Sequence, residues 1–523
     1  MIVPALLWML AVCAGADPRP AVIEVVVPAD RQDLLAAGAT SGRMKLFLNG
    51  THSKNRGDPA DGPFYEDPQP IYSVAVQSLK PGQRVAFDAG AVGWPGPIDT
   101  LVGEFEVQAV FDAHHTERGH HSPGNLYSKP VTVRLGPEAG AAPLLELTEV
   151  VPPIQPNAID HVVWIDEISP MLTQATGRPT HHRAAVILPH GYDNINHPRR
   201  IWPTIYVIPG FGGRFTDVDS YVHMLGASNL GAVPQAVWVL LDPESPLGHH
   251  GFADSQLNGP CGTALVKELI PLLEERFRLI RSPDARLLTG HSSGGWSSLW
   301  LQLTHPDFFG GCWSSSPDPV DFSAFQLSDM YHDDNVFVDG QGRPIASYRK
   351  PIGPQDDQVL MTVQQEVGME RALDPDGASG EQWDSWNACF GAPGARPGLP
   401  RRAFDPVTGA IQHAVIDTHW SRFDVTKLVA QRWRELAPVI ADKVHVLVGS
   451  RDSFYLERAV ERLIARIAAL RAEDARRGVA PPAGGGGFIE IIPGATHGTA
   501  AVIARGRFAL SMREYLKSKG FGE

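Results

Sequence analysis

At 523 residues the chain exceeds what one hydrophobic core usually serves, so two domains, or one large domain with insertions, are expected. Hydrophobic residues at 43% and charged residues at 20% exclude a disordered or fibrous chain, while 52 Gly and 45 Pro predict many turns and long loops. The 45 basic residues against 58 acidic ones leave a formal charge of -13 with no basic block, which excludes a nucleic-acid partner.

Residues 1–16 read as an export signal. An apolar run from Ile2 to Val12 is followed by Ala14, Gly15 and Ala16, a small-residue site with cleavage expected after Ala16. No Lys or Arg precedes the run, and it is too short to span a bilayer. The mature chain is therefore expected to be secreted or periplasmic, and no later stretch approaches a membrane span. Removing Cys13 leaves Cys261, Cys312 and Cys389, which permit one disulfide and one free thiol. None lies in a C-x-x-C, so buried structural cysteines are expected rather than redox or metal chemistry.

Residues 17–143 predict a small all-β, sandwich-like domain. AVIEVVV, RMKLFL, IYSVAVQSL, EFEVQAVF and KPVTVRL are short β-like runs separated by Gly, Pro, Asn and Asp clusters, and GPEAGAAP, Gly136 to Pro143, reads as a linker. FDAHHTERGHH gathers Asp112, His114, His115, His120 and His121, but at spacings that match no metal site, so it reads as a solvated loop. No metal or cofactor is expected anywhere in the chain.

From 144 to 523 strands alternate with long helical patterns, the signature of an α/β fold with a mostly parallel sheet. RAAVILP, IWPTIYVIPG, AVWVLLD, DARLLTG, GGCWSSSP, VHVLVGS and FIEIIPG are the strands in chain order. ALVKELIPLLEERFRL places Leu265, Leu269, Leu272, Leu273 and Phe277 on one helical face, and a second amphipathic helix runs from Leu456 to Arg471. The segment from about 318 to 426 breaks the alternation and is read as an insertion or cap. Its Trp383, Trp386, Phe390, Trp420 and Phe423 are read as packing residues first and as sugar- or aryl-stacking residues second.

The chemistry is concentrated in LLTGHSSGGWSSLW. Gly290-His291-Ser292-Ser293-Gly294 matches G-x-S-x-G between a strand and a helix, where the turn is so tight that flanking side chains would collide with their neighbours. A serine hydroxyl is a weak nucleophile, so Ser292 needs a histidine base and an acid to orient that base. In α/β-hydrolases the acid follows a late strand and the histidine follows the last one. Asp452, after VHVLVGS, is the expected acid, with Asp318 a distant second, and His497, after FIEIIPG, is the expected base. The oxyanion hole calls for two backbone N–H donors, Ser293 from the elbow and Phe211 from the Pro209 to Gly213 turn, with Gly212 as the alternative.

With these pieces in place the chain resembles the "putative esterase" family of α/β-hydrolases, which includes feruloyl esterases, S-formylglutathione hydrolases, enterochelin esterases and bacterial mycolyltransferases. The matching stretches are AAVILPHGYD, WPTIYVIPGFGG, GPCGTALVKELIPLLEERFRL, LLTGHSSGGWSSLWLQLTHPDFFGGCWSSSPDPVDF, VGSRDSF and PGATHG, from Ala184 to His497. The resemblance implies a carboxylic-ester hydrolase acting through Ser292, Asp452 and His497 on a small-molecule or polysaccharide-linked ester. Acyl transfer of the mycolyltransferase type and a non-catalytic binding scaffold are the competing readings. Three features depart from the family: Pro209-Gly210 where many members have His-Gly, the N-terminal β domain, and the 318–426 insertion.

Overall fold

A computed structural model describes residues 22–35, 40–62, 65–113, 117–193, 195, 199–227, 233–354, 356–482 and 484–521. The export segment 1–16, with Cys13 and the Ala16 site, and His114 and His115 of the histidine-rich loop lie outside the described residues.

Among the described residues, nine strands form the first sheet. Its order is Arg84–Phe87, Ile23–Val26, Leu144–Val150, Leu126–Ser128, Gly103–Asp112, Gly42–Gly50, Ile71–Val76 and Val92–Trp94, with Val131–Leu135 also paired to Gly103–Asp112. The hydrogen-bonded path is continuous and curls like a half-barrel around one core, which joins Phe87 at one end of the path to Tyr72 near the other. Two-residue alternation fixes the faces: Leu46 and Leu48 point into that core while Phe47, between them, points out.

One boundary moves. The strand Leu144–Val150 pairs with Ile23–Val26 and with Leu126–Ser128, so the expected linker GPEAGAAP is a turn within the first sheet. Leu145 and Leu147 alternate inward and are fully buried there, which binds the strand to this core rather than to the next. The crossing to the second sheet runs through residues 151–161.

The second sheet has eight strands among the described residues, in the order Val162–Ile168, His181–Ile187, Val237–Leu241, Thr204–Ile208, Arg286–His291, Gly311–Ser315, Val444–Gly449 and Phe488–Ile492. The last six of that order run parallel, and His181–Ile187 is antiparallel to both its neighbours. This is the α/β-hydrolase-like arrangement, following an N-terminal β domain. Its central strands are apolar on both faces: Ile205 and Val207 pack toward the C-terminal helix His497–Ser518, while Tyr206 and Ile208 face the opposite core. The predicted helix after Cys261 is present as three consecutive segments, Cys261–Ala264, Leu265–Leu269 and Ile270–Arg276, the middle one with π geometry.

Residues 318–426 carry their own secondary structure, including the ribbon Ala346–Pro351 with Asp357–Thr362 and the helices Val363–Leu373 and Gln382–Phe390. Trp383, Trp386, Phe390, Trp420 and Phe423 are all buried and belong to the main core. They pack onto the helix Ser293–Thr304, with Trp296 and Phe390 centroids 5.1 Å apart and Trp300 and Phe423 centroids 5.5 Å apart.

Cys261, Cys312 and Cys389 are buried and unpaired, so the disulfide that the odd count permits is not formed among them. The Cys261 and Cys389 thiols instead donate to the carbonyls of Asn258 and His250. No helix of the described residues is long and apolar enough to cross a membrane.

Candidate active site

Every candidate residue sits at the carboxyl end of a parallel strand, the edge where open α/β sheets place ligands. The strand Arg286–His291 turns into the helix Ser293–Thr304 through Ser292 alone, whose φ of 58° and ψ of -126° are strained for a residue with a side chain. Three bonds over-determine that conformation: the Ser292 N–H donates to the Ser315 carbonyl, and the Ser292 carbonyl accepts from Trp296 and Asp318. The flanking glycines are required by space. A Cβ on Gly290 would stand 2.1 Å from the Gly294 carbonyl oxygen, one on Gly294 2.0 Å from that of Ile208, and one on Gly295 2.6 Å from that of Ser315.

Asp452 follows the strand Val444–Gly449, and His497 opens the helix His497–Ser518 after the strand Phe488–Ile492. The two loops are tied together, with the Ser450 N–H on the Ile492 carbonyl and the Arg451 N–H on the Ala495 carbonyl. The His497 Nδ1 and Asp452 Oδ2 are 2.8 Å apart, and Asp452 Oδ1 accepts the Phe454 N–H at 3.0 Å. Asp452 is completely buried. Burial opposes its ionisation, but His497 and the Phe454 N–H outweigh it and hold the carboxyl below its ordinary value. For His497 burial likewise opposes the charged form, and the Asp452 carboxylate overcomes it, raising the imidazole above its ordinary value.

Two aromatic neighbours fix the His497 ring. His291, the residue before Ser292, lies 4.3 Å away between ring centroids, and Phe454 meets it edge-on at 5.0 Å. Burial, with the nearby His497, pushes His291 down to about 3, so it stays neutral beside that ring.

The turn after Thr204–Ile208 lies against the elbow. The Gly213 N–H closes on the Gly210 carbonyl at 3.0 Å with Gly212 at φ 80°, the arrangement of a type II turn with Phe211 at its first corner. A Cβ on Gly210 would reach 3.0 Å from the His291 carbonyl oxygen and 3.2 Å from the Ser292 Cβ, so a side chain there would have to push the elbow by a few tenths of an ångström. Below the turn His249 Nε2 donates to the Pro209 carbonyl at 3.0 Å while its Nδ1 accepts the Gly251 N–H at 3.1 Å. Those two bonds define one neutral tautomer, and burial lowers the imidazole to about 4, which keeps it neutral.

Asp318, the second-ranked acid, lies near enough to His497 to favour its charged form, but its hydrogen bonds go elsewhere. Its Oδ2 accepts the Ser293 hydroxyl at 2.6 Å and the Trp386 indole N–H at 2.9 Å, tying the elbow to the insertion. The histidine-rich loop is likewise occupied elsewhere: Asp112 pairs with Lys45 at 2.6 Å, and His120 is buried between Phe47 and His121. No group of three or more His, Cys, Asp or Glu among the described residues is arranged to hold a metal ion. Sequence reasoning missed His249, the contact of the Phe454 ring with His497 and the anchoring role of Asp318, because each of these contacts joins separate segments of the chain.

The fold and this strand-end cluster define an α/β-hydrolase-type protein of the serine class. The family model described as "Putative esterase" matches residues 174–479, more than half of the chain, and the chain belongs to that family. The match starts beyond the N-terminal sheet, includes Ser292 and Asp452, and ends before His497. Among solved structures, the chain is 14% identical to a ferulic acid esterase, over 67% of this chain and 97% of that one, with a TM-score of 0.38. An S-formylglutathione hydrolase from Agrobacterium tumefaciens is also 14% identical, over 69% and 98%, with a TM-score of 0.35. A ferulic acid esterase from Anaeromyces mucronatus, solved with ferulic acid, is 13% identical over 69% and 93%, with a TM-score of 0.33. The search of curated proteins found no match.

Proposed function

We propose that this protein is a serine carboxylic-ester hydrolase with Ser292 as nucleophile, His497 as base and then acid, and Asp452 as orienting carboxylate. The observation that carries the reading is the Asp452–His497 hydrogen bond at 2.8 Å, on strand ends beside a serine held in a strained elbow. Asp452 accepts the Nδ1 proton, which leaves Nε2 as the free acceptor for the Ser292 hydroxyl proton.

The Ser292 oxygen attacks the ester carbonyl carbon, and its proton passes to His497 Nε2. The Ser293 and Phe211 backbone N–H groups stabilise the oxyanion, and an ionised Asp452 stabilises the imidazolium. Collapse expels the alcohol, which takes the proton from His497 and leaves an acyl-Ser292. Water then gives a proton to His497, attacks the acyl carbon and releases the carboxylic acid, restoring the serine. Removing one oxyanion donor costs about 3 to 4 kcal/mol in such sites.

Two assays test the reading together. Ser292→Ala should lose p-nitrophenyl acetate turnover by roughly a millionfold and lose covalent labelling by a fluorophosphonate. Retention of most turnover, or labelling elsewhere, would overturn the assignment. A panel of acetyl, feruloyl, glucuronoyl and longer acyl esters then ranks the substrate class. We also propose that the protein is exported, which amino-terminal sequencing of the mature protein, expected to start at Asp17, would check.

A further inference from the structure

We infer that the N-terminal β domain supplies two positioning residues, Glu117 and Arg118, that hold the Pro209 to Gly213 turn in the geometry its oxyanion donor needs. The inference rests on the serine-esterase reading above and assigns the β domain a part in the chemistry.

Both residues lie on the connection between the strands Gly103–Asp112 and Leu126–Ser128, outside the family match. The Arg118 guanidinium carbon stands 4.4 Å from the centroid of the Phe211 ring. Its Nε donates to Glu244 at 3.1 Å and its Nη1 to Glu381 of the insertion at 3.4 Å, so the plane over the ring is fixed from both sides. Gly380 leaves room for it, since a Cβ there would stand 2.4 Å from Arg118 Cγ.

Glu117 holds the other end of the same turn. One carboxylate oxygen accepts from Arg214, the residue after Gly213, at 2.7 Å, and the other accepts from Arg183. Arg214 also reaches Asp242 at 2.9 Å, at the end of a neighbouring strand. One dipeptide of the β domain therefore grips the turn through the Phe211 ring at one corner and the Arg214 side chain at the exit.

These ion pairs lie apart from the apolar patch that also joins the two domains. That patch sets Phe47, Ile71 and Val110 of the β domain against Met361, Met369 and Leu373 of the insertion, with the Tyr65–Glu366 and Arg43–Asp374 contacts beside it. Loss of the Arg118 or Glu117 charge touches none of these residues, so the expected effect falls on the turn that Phe211 and Arg214 flank. A donor displaced by about 1 Å costs on the order of a hundredfold in turnover.

The test compares full-length wild type, Arg118→Ala, Arg118→Lys, Glu117→Gln and Ser292→Ala with p-nitrophenyl acetate across pH, with thermal unfolding alongside. Arg118→Ala and Glu117→Gln are expected to lower kcat by roughly ten- to a hundredfold while KM moves less than about threefold, the signature of an interaction felt in the transition state. The midpoint of the pH–rate profile should stay in place, because His497 is untouched. Arg118→Lys should restore little, since an ammonium has no planar face for the Phe211 ring and no fork for two carboxylates. Fluorophosphonate labelling of Ser292 should slow in step with kcat. Unchanged kcat in both variants, a change in KM alone, or a loss matched by early thermal unfolding would overturn the inference. Absence of wild-type turnover and labelling would instead remove the esterase reading, and this inference with it.

Discussion

Three titratable groups surround His497: Asp452 and Asp318 favour its charged form, and His291 packs against its ring. Asp452 is ionised and holds the imidazole proton, whereas His291 is kept neutral by burial. The base must be neutral to take the Ser292 proton, so activity should rise with pH through a midpoint above the ordinary imidazole value of 6.5. Asp452→Asn removes the larger of the two charges that raise His497, leaving Asp318, so the midpoint should fall and kcat should drop by about 10^4-fold. Initial rates across pH for both proteins check this, and an unmoved midpoint would contradict it. Ser293 makes a second, different claim. Its hydroxyl serves the buried Asp318 while its backbone N–H is the group proposed for catalysis. Ser293→Ala should therefore cost about 1 to 3 kcal/mol of stability, measured by denaturant unfolding, yet keep kcat within about tenfold.

At the scale of elements, the elbow depends on three glycines that bring backbone against backbone. Gly294→Ala would place a Cβ against the carbonyl oxygens of Ile208 and Pro209, at 2.0 and 2.5 Å, and neither is a flexible side-chain end. A loss of more than about 3 kcal/mol, or failure to fold, is expected on thermal unfolding. Gly506→Ala is the control. That glycine is inside the helix His497–Ser518, and a Cβ there would meet nothing within 4 Å, so alanine should stabilise by about 0.5 to 1 kcal/mol. The elbow was legible in the sequence because tight backbone approaches require glycine and because central parallel strands, buried on both faces, read as unbroken apolar runs. The strand end carrying Asp452 was legible for the same reason, whereas Phe488–Ile492 before His497 is a half-exposed edge strand read from its short β-like run. Alternating strands were harder: Leu144–Val150 has an ordinary half-buried pattern that fits either sheet, and only its pairing partners decide. The supports of the site were not legible at all. Arg118 meets Glu244 across 126 residues and Glu381 across 263, separations over which no local pattern carries information.

Across the whole molecule, the β domain and the insertion meet at a seam that contains a buried acid. The Tyr65 hydroxyl donates to Glu366 Oε1 at 3.2 Å, and the Tyr65 ring meets Phe454, which meets His497 in turn. Burial raises Glu366 from 4.5 to about 7, so the folded chain prefers this carboxyl neutral while the unfolded chain ionises it near 4.5. The folded chain thus binds more protons here, and the contribution is fully present below pH 4.5 and is lost as pH rises to about 7. Glutamine keeps an acceptor for Tyr65 and removes the ionisation. Glu366→Gln should accordingly match wild-type stability below pH 4.5 and exceed it by up to about 3 kcal/mol at pH 8. Denaturant unfolding at the two pH values measures the difference. Equal stability of the two proteins at pH 8 would mean that water or a counter-charge reaches the seam when Glu366 ionises, and that the two domains separate locally before the fold as a whole is lost.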